Sequence, residues 1–129
     1  MPLVRIDIIE GRTDAEIKTL TDTVQDCIVE TFDVPETDRY QIVTEHKKGR
    51  MVLLDTGLGF ERTDQVVAIQ IFTSPRATRS KTDFYKLVTD KLGSVCGVAP
   101  TDVFISVMTN TDVDWSFGNG EAQYLTGTL

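Results

Sequence analysis

The second residue of the chain is a proline, and it stands directly ahead of a β-branched, apolar run, LVRIDII. Proline has no backbone N–H to give a sheet, yet it is tolerated as the first residue of a strand. Its chemistry is the more telling property. Methionine is usually trimmed when the next residue is small or is proline. Removal of Met1 would leave Pro2 with a free secondary amine, a group that no internal residue carries. A free α-amine has an ordinary pKa of about 7.7–8.0, which burial lowers and a nearby carboxylate raises. Such an amine can act as acid or base near neutrality, and at the head of a strand it would be rigidly placed. Two further residues suit it. Asp38 lies in VPETDRYQIV, between a proline and a strand, and Arg76 lies in FTSPRATR, at a strand-to-helix junction. A guanidinium is the natural receiver of a small carboxylate, in two-pronged geometry. On local grounds alone Asp38 is equally a turn residue, and Arg76 a surface arginine.

Other chemistries lack their residues. The chain has no Cys–His pair of useful spacing, no G-x-S-x-G elbow and no dinucleotide fingerprint. Cys27 and Cys96 have no C-x-x-C spacing and read as small core residues. The single His46 has no partners for a zinc site, so no metal is expected. With 20 acids against 13 bases the net charge is −7. An acidic chain with no basic run is a poor candidate for nucleic acid or an anionic membrane surface. No apolar stretch approaches the roughly 20 residues of a membrane span, and no signal peptide is recognisable. These features point to a reducing, cytoplasmic location.

The elements that must position the three residues read as one duplicated unit within a single domain, 1–129. Its first β-α-β spans about 2–46, a connecting hairpin or loop about 47–65, the second β-α-β about 66–109, and an aromatic tail 110–129. The 40% hydrophobic content is enough for its core. LVRIDII (3–9) is the first strand. In the helix that follows, over 13–32, Ile17, Leu20, Val24, Cys27, Ile28 and Phe32 keep amphipathic spacing. Thr13 and Glu16 form a capping-box pattern at its start. YQIVTEH (40–46) alternates like a strand. The order repeats about 65 residues later, with a strand VVAIQIF (66–72), a helix from Thr78 to Val95 and a strand VFISVMT (103–109). Pro35 and Pro100 look equivalent, as do Thr44 and Thr109. The fold class is α+β, an α/β two-layer arrangement. Its four-stranded sheet carries two helices on one face. The other face needs a cover, so self-association in a closed ring is expected.

In the connecting segment, Gly57 and Gly59 bracket a leucine, as in a tight loop or hairpin. The tail gathers Trp115, Phe117 and Tyr124 among glycines and polar residues. A disordered tail would be poor in aromatics, so these residues fold back as a hairpin or a cover. By composition they could cap the core, meet another subunit or wall a binding site.

MPL at the start, EGRTD (10–14), VPETDRYQIVTEH (34–46), DTGLGFERTD (55–64), SPR (74–76) and DWSFGNGEAQYLTG (114–127) together resemble the tautomerase superfamily. Within it the likeness is to the malonate semialdehyde decarboxylase group. The resemblance implies a homotrimer of duplicated β-α-β subunits and no metal or organic cofactor. It implies that Pro2 is the catalytic amine, Asp38 the family aspartate and Arg76 a carboxylate-binding arginine. Trp115, Phe117, Tyr124 and Leu129 would form an apolar wall, where the family often has phenylalanine in place of Tyr124. One position departs from the pattern. The best-known decarboxylases of the group have arginines two apart around the proline, and here Ser74 stands in place of the first. Arg79, one helical turn on, is the candidate substitute.

The activity implied is decarboxylation of a small 3-oxo acid, malonate semialdehyde giving acetaldehyde and carbon dioxide. The nearest alternative uses Pro2 as a base for enol–keto tautomerisation of the phenylpyruvate type, or uses Asp38 to activate water for hydration of a small unsaturated acid. A non-catalytic binding protein on the same scaffold is the second alternative.

Overall fold

A computed structural model describes all 129 residues. The first unit consists of β1 (Leu3–Ile9), α1 (Asp14–Phe32) and β2 (Tyr40–His46), and the second of β3 (Val67–Thr73), α2 (Thr78–Cys96) and β4 (Val103–Thr109). Short 3-10 turns at Pro100–Asp102 and Asp112–Asp114, and a four-residue helix α3 (Gln123–Thr126), complete the chain. The sheet order is β2-β1-β3-β4. Strands run parallel within each unit and antiparallel where β1 meets β3. Leu3 pairs with Tyr40 as Val67 pairs with Val103. Thr109 therefore corresponds to His46, two positions from the Thr44 that the sequence spacing suggests. The loop after α2 is also one residue shorter than the loop after α1.

Both helices lie on one face of the sheet. Val4, Ile6 and Ile8 of β1 and Val67, Ile69 and Ile71 of β3 point at them and are fully buried against Leu20, Val24, Ile28, Phe84, Val88 and Leu92. Burial of each such side chain contributes about 1.5–3 kcal/mol. Cys27 belongs to this core, and burial pushes its thiol up to about 11. At the start of α1, Thr13 Oγ1 accepts from the Glu16 amide at 3.2 Å and Glu16 Oε1 accepts from the Thr13 amide at 2.9 Å, closing the capping box. α2 starts from Ala77 without a side-chain cap and stops at Gly97, whose φ of 70° suits a left-handed C-cap.

The other face of the sheet has no helix. Tyr40, Ile42 and Phe104 are exposed there, and Asp7 meets His46 Nε2 at 2.7 Å. Residues 47–65 form no strand, so the connection is a loop rather than a hairpin. Its turn is held by the Asp55 carboxylate, which accepts from the amides of Gly57 at 3.1 Å and Gly59 at 2.8 Å. Those bonds hold the Asp55 carboxyl below its ordinary value. Val52, Leu54 and Leu58 on this arm are largely exposed.

The topology gives the sheet two related ends. β1 and β2 begin, and β3 and β4 finish, at one end. The duplication maps that end onto the other. Counted from the strand starts, Pro2 corresponds to Val66. Counted from the helix starts, Arg76 corresponds to Arg12, and counted from the helix ends, Asp38 corresponds to Asp102.

Candidate active site

Pro2 is buried at the head of β1, where Leu3 lies between Tyr40 of β2 and Phe72 of β3. The chain-start amine, here on Met1, is pushed below its ordinary value by burial and then by the Arg76 guanidinium, against the opposing pull of Asp38 and Asp112. One short segment of chain thus puts the amine within reach of three charged side chains.

Asp38 reaches the site from the loop between α1 and β2. Its amide donates to the Pro35 carbonyl at 3.0 Å, and its own carbonyl accepts from Gln25 Nε2 at 3.3 Å. The backbone is therefore fixed while the carboxylate is left to function. Asp38 is 9% exposed, and its Oδ1 is buried with no hydrogen-bond partner. Burial pushes the carboxyl up, against the chain-start amine and Arg76, which pull it down. An unpaired buried polar atom costs about 1–3 kcal/mol.

Arg76 sits between β3 and α2, before the first helical residue. Its Nε donates to Thr73 Oγ1 at 3.1 Å and its Nη1 to the Phe32 carbonyl at 3.1 Å. The guanidinium also lies over the Phe32 ring, 5.4 Å from its centroid. These contacts fix the head group and leave Nη2 without a partner. A carboxylate can be met through Nη2, since Nε and Nη1 are already engaged. Phe32 is the last residue of α1, a helix with no basic residue in its last turn, so Arg76 also serves an otherwise orphaned helix carbonyl.

The tail folds back over this end. The Asn110 amide donates to the Thr73 carbonyl at 2.8 Å, continuing β4 alongside β3. Thr111 and Asp114 then form a second capping box, and Trp115 Nε1 donates to Asn110 Oδ1 at 2.9 Å. Trp115 stacks on Phe117 with centroids 5.5 Å apart, and Phe117 touches Tyr40 at 5.7 Å and the edge of Tyr124 at 5.5 Å. Gln123 locks the fold, accepting from the Phe117 amide at 2.9 Å and donating to the Gly118 carbonyl at 2.8 Å. Between tail and sheet lies an open pocket of about 390 Å³, lined by Leu3, Tyr40, Phe72, Asn110, Trp115 and Phe117 among others. Pro2, Asp38, Arg76 and Tyr124 are not among the residues that line it.

Burial, Asp38 and Asp112 push the Tyr124 phenol up, against Arg76. It stays protonated at neutral pH. Leu129, by contrast, is 63% exposed at the end of the tail, held by its amide on the Gln123 carbonyl. Ser74 is half-buried at the β3–α2 junction. Arg79 lies on α2 with 86% of its side chain exposed, and its Nε pairs with Asp83 at 3.2 Å. Arg76 is the only basic side chain that acts on both the amine and Asp38.

The structure adds groups that the sequence did not single out. Asp112 is a second carboxylate acting on the amine, and Thr73 and the Phe32 carbonyl hold Arg76. The capping pattern T-x-x-D over 111–114 was a signal for an ordered turn carrying Asp112. The tether on Phe32 had none, because a backbone carbonyl leaves no mark on residue type.

Two family models match the chain, each described as a tautomerase enzyme, over residues 38–118 and residues 2–61. Probable tautomerase YrdN of Bacillus subtilis (strain 168) is 49% identical over 129 residues, which is the whole of both chains. A malonate semialdehyde decarboxylase, whose wild-type, mutant and inactivated crystal structures were interpreted for decarboxylase and hydratase activities, is 47% identical. It superposes with a TM-score of 0.95 over 98% of each chain. FG41 malonate semialdehyde decarboxylase inhibited by 3-bromopropiolate is 41% identical, with a TM-score of 0.93 over 98% of this chain and 97% of that one. By sequence and by fold the chain belongs to the tautomerase superfamily, beside its malonate semialdehyde decarboxylases.

Proposed function

We propose that, once Met1 is removed, the protein is a cofactor-independent decarboxylase that converts malonate semialdehyde, a small 3-oxo acid, to acetaldehyde and carbon dioxide. The observation that carries this reading is the buried, unpartnered Asp38 Oδ1 beside the chain-start amine, with Arg76 Nη2 free nearby. The amine of Pro2 would be the partner that Asp38 lacks. Arg76 receives the substrate carboxylate and sets the breaking C–C bond perpendicular to the carbonyl plane. The bond's electron pair moves toward the carbonyl oxygen as carbon dioxide leaves. Protonated Pro2 stabilises that oxygen by a charge-assisted hydrogen bond; in the covalent route neutral Pro2 attacks the carbonyl, water leaves to give an iminium, and after carbon dioxide is lost and the α-carbon protonated, water adds back to free the product. A proton delivered to the α-carbon completes acetaldehyde. Asp38 and Asp112 favour the protonated amine. The aromatic wall keeps water from the carboxylate, whose charge spreads in the transition state.

One observation favours a second activity from the same residues. Burial and Arg76 push the Met1 amine down, and the same surroundings acting on a Pro2 amine would enlarge the neutral fraction that can act as base. Neutral Pro2 would move a proton between carbon and oxygen of an enol–keto pair. Hydration of an unsaturated acid instead needs Asp38 to activate water. Titration of the Pro2 amine by ¹⁵N NMR separates the cases. Protonation at pH 7 supports decarboxylation or hydration, and a neutral amine supports tautomerisation. Decarboxylation should fall as pH rises through that pKa. Intact mass comes first, because a retained Met1 blocks every version. Incubation with malonate semialdehyde and with phenylenolpyruvate then reads turnover directly; no release of carbon dioxide from the first defeats the decarboxylase reading.

The active form is a homotrimer closed through the helix-free face. Exposed Tyr40, Ile42 and Phe104 on that face and the apolar arm at Val52, Leu54 and Leu58 support this. Sedimentation would show a single monomeric species if it is wrong. The same chemistry makes a small anionic oxo acid the partner. No helix of the protein is long and apolar enough to cross a membrane.

A further inference from the structure

Gln25 is an exception among the buried side chains of α1. It is 5% exposed, in a helix whose other inward positions include Leu20, Val24, Cys27, Ile28 and Phe32. Thr23, also buried, returns its hydroxyl to the Thr19 carbonyl of its own helix at 2.7 Å. Gln25 reaches out of the helix instead. Its Nε2 donates to the Glu36 carbonyl at 3.4 Å and to the Asp38 carbonyl at 3.3 Å. Two acceptors on one side require the nitrogen of the amide there. Burying an amide is unfavourable unless its bonds are made, so an apolar residue of the same length would serve the core better. What the amide adds is a hold on the turn 35–38, which the Asp38 amide closes on the Pro35 carbonyl at 3.0 Å.

The duplicated unit shows what that hold replaces. The turn 99–102 closes in the same way, from the Asp102 amide to the Ala99 carbonyl at 2.9 Å. Counted from the helix starts, Gln25 corresponds to Thr89. The far turn is held from the connecting loop, by Arg62 Nη1 on the Thr101 carbonyl at 2.8 Å and by the Thr63 amide and hydroxyl on the Asp102 carboxylate. That aspartate uses its carboxylate to keep the turn in place. At the near end Gln25 grips the backbone, and Asp38 keeps an Oδ1 that is buried with no partner. The register sets Asp38 at the head of the sheet, because Tyr40, two residues on, pairs with Leu3. We propose that Gln25 is a positioning residue: by anchoring the turn through its amide, it fixes Asp38 at the chain start and leaves the carboxylate free. This deepens the decarboxylase reading and rests on its use of Asp38.

Gln25→Met keeps the length and the apolar packing and removes the donor. In processed protein it should lower kcat for malonate semialdehyde by about 10-fold or more, the scale of a displaced reacting group. KM should stay near wild type, because Arg76 receives the carboxylate. In an Asp38→Asn background the same change should alter kcat by less than about 2-fold, since the group it positions is gone. The ¹³Cγ resonance of Asp38 gives a readout that needs no turnover. Burial holds that carboxyl up, and its titration midpoint should move toward the ordinary value in Gln25→Met. Where Asp38→Asn leaves no measurable turnover, this titration decides. A role in the fold alone predicts a lower Tm with kcat and the Asp38 titration unchanged, and that result overturns the assignment. So does an equal loss of kcat in both backgrounds, or failure of both Gln25→Met and Gln25→Leu to fold. If wild type does not turn over malonate semialdehyde and the Asp38 titration still shifts, the decarboxylase reading fails and the placement by Gln25 stands.

Discussion

Pro2, Asp38 and Arg76 at one end of the sheet correspond to Val66, Asp102 and Arg12 at the other, and the two ends use the same kinds of residue differently. At the far end the backbone runs on through Val66, so there is no amine. Asp102 is 1% exposed, and its carboxylate is engaged by the Thr63 amide at 2.7 Å and by the Thr63 hydroxyl. Arg12 Nη2 donates to the Gln65 carbonyl at 2.8 Å while its Nη1 is buried without a partner, and burial lowers its guanidinium's pKa. There the acid and the base hold the connecting loop to the body of the protein. At the near end the corresponding acid is left unpaired; each arginine keeps a nitrogen without a partner, so the two ends differ in the carboxylate. Duplication supplied two similar frames, but a chain has a single beginning. On the proposed reading, only the frame that contains it can keep a reactive nitrogen, and only there would a poorly satisfied carboxylate be worth its cost in stability.

The sharpest way to break this comparison is to remove the terminus. Protein with Met1 retained, or with Pro2 acetylated, should lose turnover by about 10³-fold, within the range of general acid–base contributions. Activity that survives would make the two ends equivalent after all. Next, Arg76→Ala should lower kcat/KM by about 10²-fold, the scale of losing one electrostatic contact in the transition state. Arg12→Ala should leave kcat/KM near wild type and lower Tm instead. A third change tests the structural end. Asp102→Ala should cost about 1.5–3 kcal/mol, the scale of hydrogen bonds to a charged group. Urea unfolding at fixed protein concentration reads it.

The smallest effect concerns Asp38. Its carboxyl is raised in the folded state, so the folded protein binds more protons than the unfolded chain between the ordinary and the raised value. Wild-type stability therefore falls as pH climbs through that window. Asp38→Asn should have a slightly higher Tm than wild type at pH 7, and the gain should vanish below the ordinary carboxylate range. Thermal melts at pH 7 and pH 3 measure it, and equal Tm values at both would contradict the burial of this charge.

Much of the frame was legible from residue spacing. β1, β2 and β4 begin and end where the apolar alternation does, and α1 starts at the Thr13–Glu16 box. Each of those signals is local, and the core it serves is dense enough to enforce it. The loop around Gly57 and Gly59 was ambiguous between turn and hairpin because both demand glycines at positive φ. The bonds from Asp55 decide it. The site was legible only in part, for a geometric reason. Arg79 follows Arg76 by three positions, a spacing that puts neighbours on one helix face. But α2 begins at Thr78, so Arg76 lies outside the helix and the rule does not connect them. Arg79 instead meets Asp83, four residues on. Asp112 is an exposed acid in a loop, without periodicity to give it away.

The tether between Arg76 and the Phe32 carbonyl would link the proposed docking of a carboxylate on Arg76 to the end of α1. A carboxylate docked on the free guanidinium nitrogen immobilises a side chain that also restrains the last helical turn and, through it, the loop that delivers Asp38. Binding would be felt as reduced fraying, and slower amide hydrogen exchange over residues 29–38 is its signature. The proposed anion receiver and the clasp on the helix would be the same guanidinium.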